Sequence, residues 1–148
     1  MDTEIIEIHY HSDRIEKLTY IDGKSDWIDL RAAEDVTLKK GEFAMIDFGI
    51  SLRLPDGYEA IVAPRSSTFK NFGILQVNSI GVIDESYGKN STDDVWKYPV
   101  FAVRDTEIHI NDRIAQFRIQ KHQPRIVFRE VGEKKGETRG GFGSSGVQ

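Results

Sequence analysis

Residues 64–90 read PRSSTFKNFGILQVNSIGVIDESYGKN, and they concentrate the side chains that can act on an anion. Arg65 offers a planar fork that matches phosphate oxygens. Ser66 and Ser67 follow where an apolar run ends at Ala63, and either can cap a short helix that Gly73 stops. The unpaired N–H groups of such a turn attract negative charge. Residues 74–77 and 80–83 are two apolar runs separated by Asn78-Ser79, the pattern of a tight hairpin. Asp84-Glu85-Ser86-Tyr87 comes directly after it. A carboxylate and an aromatic at a strand end, opposite an anion-binding turn, suit hydrolysis of a phosphorylated ligand. Each piece alone has a plainer use: Arg-Ser-Ser as a capped surface turn, Asp84 as the start of a loop. Their order gives them weight.

The elements that must position these groups read as strands. Residues 4–10 put Ile6, Ile8 and Tyr10 on one parity, with His9 and His11 on the other. In the run 43–54, Ile50, Leu52 and Leu54 alternate with Gly49, Ser51 and Arg53, and Pro55-Asp56-Gly57 then marks a turn before a strand over 58–63. Residues 95–103 form a strand that Pro99 confines to an edge or a bulge. In residues 113–120, Ala115, Phe117 and Ile119 alternate with Gln116 and Arg118, so Gln116 faces away from the apolar stripe. A last strand is expected over 125–131, after Pro124. Many short strands, frequent turns and almost no helical periodicity give an all-β class, a jelly-roll-like β-sandwich with one short helix. Residues 1–131 form one domain. Residues 132–148 are glycine- and serine-rich and form a flexible C-terminal arm that orders only on a ligand.

Composition narrows the partners. A chain of 148 residues fills one domain. It has no cysteine, which excludes disulfides, thiolate metal sites and a cysteine nucleophile. A net charge of −4 argues against a broad nucleic-acid-binding face, so any phosphate contact is local. No apolar run approaches the length of a membrane span, and the start, MDTEIIEIHYHSD, lacks a targeting pattern. A cytoplasmic protein without nucleic-acid or membrane partners is expected.

The PRSS turn, the NSIGVIDESY run, the later RIAQFRI and the terminal RGGFGSSG resemble, in order and spacing, the motifs of the trimeric deoxyuridine triphosphatases, or dUTPases. DLRAAEDVTLKKGE, residues 29–42, resembles the remaining motif, so the likeness spans residues 25–148. It implies hydrolysis of dUTP to dUMP and pyrophosphate with Mg2+, in a homotrimer whose active sites are shared between subunits. Carried over residue by residue, the resemblance makes Asp84 the general base toward the attacking water. Asn78 and the backbone of Val82, Ile83 and Asp84 read the uracil edge, Gly81 sits among them where a Cβ would crowd the base, and Tyr87 packs under the deoxyribose. Arg65, Ser66 and Ser67 form the phosphate turn, and Gln116 makes a second phosphate contact. Asp29 helps order the magnesium waters, with no direct protein ligand to the metal. In the arm, Arg139 meets the γ-phosphate, Gly141, Gly143, Ser144 and Ser145 add donors, and Phe142 covers the base. The family commonly sets its arginine two residues further from GGFG than Arg139 stands. A polar insert after Gly88 also brings Trp96 and Tyr98 forward as covers for the uracil. The resemblance leaves two competing functions: a dCTP deaminase of the same fold, whose Thr-Leu-Glu context GVIDESY replaces, and a nucleotide-binding regulatory protein.

Overall fold

Alternation of apolar and polar side chains becomes strand after strand in the computed structural model, which describes residues 3–21, 23–143 and 146. The elements are β1 Glu7–Tyr10, β2 Ile28–Arg31, β3 Val36–Leu38, β4 Phe43–Asp47, β5 Ile50–Arg53, β6 Tyr58–Ala63, α1 Thr68–Phe72, β7 Ile74–Gln76, β8 Gly81–Ile83, β9 Lys97–Ala102, β10 Thr106–Ile108 and β11 Arg113–Lys121. They form the expected jelly-roll-like sandwich. Its sheets are β2-β11-β6-β8, β4-β9-β7 and the pairs β1-β5 and β10-β3. All pairings are antiparallel, and the inward faces meet in one core that includes Leu30, Ile46, Phe48, Leu52, Val62, Tyr98, Ile114 and Phe117.

Four expectations change. The run 43–54 is two strands, because Gly49 adopts φ +67° and the chain passes from the β4-β9-β7 sheet to the β1-β5 pair. Asn78-Ser79 is not a hairpin turn: β7 pairs with β9 while β8 pairs with β6, so the turn links two sheets, with Ser79 at φ 56°. Pro99 lies in the middle strand β9, opposite Met45, not at a sheet edge. Its carbonyl accepts the Val77 N–H at 3.1 Å. In an antiparallel strand a residue's N–H and C=O point to the same side, so the missing donor faces the end of β7, beyond its last paired residue, Gln76. Finally, residues 125–131 form no strand within the chain. Paired structure ends at Lys121, and Val127 and Phe128 are almost wholly exposed.

The segment after Tyr87 packs backbone to backbone on β5. Gly88 has φ +86°, and a Cβ there would lie 2.1 Å from the Leu52 carbonyl oxygen. Gly88→Ala is expected to cost about 2 kcal/mol or more, which lowers the unfolding midpoint of a chain of this size by about 4 to 8 °C. A calorimetric midpoint within 1 °C, on the order of measurement error, would show that the loop shifts aside at no cost.

Candidate active site

The polar groups gather at two ends of the β2-β11-β6-β8 sheet. At one end, Gln116 of β11 stands across from Asp29 of β2 and Ala63 of β6, so three strands present one line of residues. Gln116 Nε2 donates to the Pro64 carbonyl at 3.1 Å. Just beyond, Arg65 Nε donates to Asp29 Oδ1 at 3.0 Å, and its Nη1 reaches Ser67 Oγ at 3.3 Å and the Arg113 carbonyl at 3.4 Å. The guanidinium is thus held by three partners before any ligand arrives, which reduces the entropy lost on gripping phosphate.

Neither Ser66 nor Ser67 caps the helix. Ser67 occupies the N-cap position of α1 without a side-chain bond to it, and Gly73 ends the helix in the left-handed conformation, as expected. The turn is fixed instead by Thr68, which is buried. Its Oγ1 accepts the Arg65 N–H at 2.8 Å and donates to the Ile114 carbonyl at 3.0 Å. The sequence signal for Thr68 was available: a hydroxyl three residues on can reach back to the N–H that opens a turn.

Asp29 is mostly buried between two guanidinium groups. Arg113 Nη1 lies 3.5 Å from its Oδ2, a charge contact without hydrogen-bond geometry, so Oδ2 remains unpaired. Its observed work is to orient Arg65. Among the described residues no group of three or more His, Asp or Glu could hold a metal ion. Such a donor set fits Mg2+ only if the ion takes its ligands from phosphate oxygens and water, as that ion prefers. Asp29 Oδ2 is buried and has no hydrogen-bond partner within the chain.

The other cluster runs along β8. This is an edge strand, so one row of its N–H and C=O groups faces away from β6 and is free to bond a ligand. Asn78 is exposed in the preceding turn, Val82 is exposed and Ile83 half-buried. A Cβ on Gly81 would press on Val62 Cβ at 3.0 Å. The glycine therefore allows close packing of β8 on β6. Asp84 follows, exposed, in a cleft of about 550 Å3 that also includes Glu59, Glu85, Lys89, His122 and Arg125. Glu85 staples this end: its Oε1 accepts the Gly57 N–H at 2.6 Å and lies 3.7 Å from His122 Nε2. Tyr87 donates its N–H to the Asp84 carbonyl at 3.0 Å and its hydroxyl to the Val95 carbonyl at 2.9 Å. Burial, and then the nearby Asp94, push the Tyr87 pKa up, so the hydroxyl stays a donor.

The two clusters are not brought together within one chain. Asp84 lies one residue past Ile83, which pairs with Ala60, while Arg65 lies two residues past Ala63. Asp84 is thus level with Glu59, and six residue steps, four of them in β6, separate that level from Arg65, about 20 Å for extended chain. β11 gives the same answer: the Arg113 carbonyl at its start touches Arg65, and His122 just past its end touches Glu85.

Trp96 and Tyr98 are fully buried in the core, against Phe117 and Phe48, so neither can cover a base. Phe142 is fully exposed. Arg139, Gly141, Phe142 and Gly143 lie in the arm, where the hydrogen bonds and ion pairs of the described residues are local: Lys135 with Glu133, Gly140 with Thr138, Gly146 with Gly143. Ser144 and Ser145 lie outside the described residues.

Residues 21–146 match the family model described as dUTPase. The SPbeta prophage-derived deoxyuridine 5'-triphosphate nucleotidohydrolase YosS of Bacillus subtilis is 54% identical over 125 residues, covering 84% of this chain and 87% of that protein. A deoxyuridine 5'-triphosphate nucleotidohydrolase of Neorickettsia sennetsu is 35% identical over 144 residues, 93% of each chain. Among solved structures, the Staphylococcus bacteriophage 80alpha dUTPase with dUPNHPP superposes with a TM-score of 0.73 at 23% identity, over 98% of this chain and all of that one.

Proposed function

Since the chain belongs to the dUTPase family and is a deoxyuridine triphosphate nucleotidohydrolase, we propose that it works as a homotrimer whose active sites are shared between subunits. It hydrolyses dUTP to dUMP and pyrophosphate. The deaminase alternative falls away with the family match. The observation that carries the shared site is the separation of Asp84 from Arg65: one chain holds the proton acceptor and the phosphate grip at opposite ends of a sheet. A neighbour must bring its phosphate turn to the Asp84 cleft. Exposed apolar side chains support such neighbours. Phe43, Phe101 and Leu75 form one row across β4-β9-β7, and Met45 and Val77, on either side of the half-buried Pro99, form the next. Contiguous apolar surface of this kind usually marks an interface.

In the assembled site Asp84 takes the proton from the water that attacks the α-phosphorus. Asn78 and the free edge of β8 read the uracil, and Tyr87 packs under the deoxyribose. Arg65, Ser66, Ser67 and Gln116 of another subunit hold the phosphates. Asp29 keeps Arg65 in place and accepts from water around Mg2+. That ion, when bound, neutralises charge that builds on the leaving pyrophosphate. The arm from residue 132 closes over the nucleotide with Arg139, Gly141, Gly143, Ser144 and Ser145 on the phosphates and Phe142 on the base. The enzyme acts on the cytoplasmic nucleotide pool; no helix among the described residues is long and apolar enough to cross a membrane.

Mixing tests the arrangement. Asp84→Asn and Arg65→Ala chains are each expected to be nearly inactive alone. After subunit exchange, some interfaces join an intact Asp84 to an intact Arg65, and pyrophosphate release from dUTP should return. Confirmed mixed oligomers that stay inactive would rule out sharing. Release from dUTP but not from dCTP, dTTP or UTP checks the substrate in the same assay.

A further inference from the structure

Residues 88–95 contain no strand, and their side chains are mostly exposed, so packing alone does not hold them. Polar bonds do. The Gly88 N–H goes to Asp94 Oδ2 at 2.9 Å, which closes the loop on itself. At its far end the Val95 carbonyl receives the Tyr87 hydroxyl, and the Trp96 N–H goes to the Ile50 carbonyl of β5 at 2.9 Å. In the middle, two side chains from the sandwich converge on one carbonyl, that of Thr92. Ser51 of β5 donates its hydroxyl to it, and His11, just past β1, sets Nε2 2.7 Å from the same oxygen. His11 Nε2 is also 2.7 Å from Ser51 Oγ. With the Ser51 hydrogen given to Thr92, and a carbonyl able only to accept, Nε2 must carry the proton and donate in both contacts.

Ser51 is 4% exposed, and with Thr68 it makes up the buried polar residues among those described. A hydroxyl in an apolar core is costly unless it is bonded, so its retention calls for a use. Thr68 holds the turn that carries Arg65. Ser51 holds, in the same way, the loop that carries the partner of Tyr87. We propose that Ser51 and His11 form a clasp on Thr92 that positions Tyr87, and that they are specificity-determining residues for deoxyribose over ribose. Thr92 is three residues from Val95, whose carbonyl anchors the Tyr87 hydroxyl, so releasing Thr92 lets that anchor and the ring move away from the sugar. The space opened is the space a 2′-hydroxyl needs. The inference rests on the proposed contact of Tyr87 with the sugar.

The test compares kcat and KM for dUTP and UTP in the intact trimer for Ser51→Ala, His11→Leu, His11→Gln and Tyr87→Ala, with unfolding midpoints recorded. Ser51→Ala and His11→Leu should each lower the dUTP:UTP ratio of kcat/KM by roughly three- to tenfold, the effect of losing one hydrogen bond's worth of positioning. The change should lie mainly in KM, falling for UTP as room opens for the 2′-hydroxyl and rising for dUTP as the ring withdraws, because the ring holds substrate and transition state alike. His11→Gln, whose amide N–H reaches about as far as Nε2, should keep the ratio, which a purely structural role at position 11 would not require. A ratio unchanged in both Ser51→Ala and His11→Leu, while Tyr87→Ala lowers it, overturns the clasp and leaves the sugar contact standing. A ratio unchanged in Tyr87→Ala as well overturns the sugar contact and the clasp with it. Should Ser51→Ala fail to fold, His11→Leu, at an exposed side chain, decides alone.

Discussion

Asp84→Asn is expected to lower turnover with dUTP by at least about 10²-fold while nucleotide binding survives. The substitution keeps the shape of the side chain and removes its ability to take a proton. Asp84 is exposed at the end of β8, and the Tyr87 N–H on its main-chain carbonyl does not depend on the carboxylate, so the local backbone should persist. The neighbouring carboxylates cannot stand in. Glu85 is committed to the Gly57 N–H and lies beside His122 and Lys89, and Glu59 accepts from Gln120 at 2.9 Å. Pyrophosphate release gives the rate, and calorimetric titration with a non-hydrolysable dUTP analogue gives the affinity. Turnover near that of the unaltered chain would remove Asp84 from the role of base.

Truncation after Val131 should leave the sandwich folded and its oligomeric state unchanged, yet reduce turnover by a similar factor, about 10²-fold or more. The body loses nothing it uses, since the bonds of the described arm residues stay within the arm. Ordering ten residues of such a chain costs on the order of 10 kcal/mol, which only a ligand with several charged oxygens can offset. Closure then keeps bulk water from the anhydride. Size-exclusion chromatography and the pyrophosphate assay together decide the matter. A trimer that keeps full activity without the arm would mean that the site is complete without a lid.

What the sequence made legible was local. Period-two alternation found β11 and put Gln116 on the face away from Phe117, the Pro55-Asp56-Gly57 turn found the start of β6, and glycine found the end of α1 at Gly73. Pairing was not legible, because it depends on residues far away. Ile74 and Ile83 read as two arms of a hairpin, yet each finds its partner in a different sheet. Parity also says nothing about depth: Trp96 and Tyr98 looked available to a base and lie in the core instead. Residues 125–131 carry a strand's composition, but within one chain nothing pairs with them. In the site, residue types named Arg65 and Asp84 and the family resemblance named Asp29, while their arrangement needed the register of β2, β11 and β6. Asp29 could be read as a partner for hydrated metal; its bond to Arg65 follows only from the crossing of strands 36 positions apart.

Pro99 also bears on how the chain avoids folding wrongly. Adjacent strands can slip past one another by one residue and still make ladders, which is how a sheet turns its core face outward. In β9 such a slip would rotate the ring's missing donor from the end of β7 into the ladder with β4, where Met45 now lies opposite Pro99. The slipped sheet would lose a bond that the native one never needed, and it would also present Tyr98 and Val100 to water. The proline thus works as an error check on register, penalising the wrong alignment at no cost to the right one.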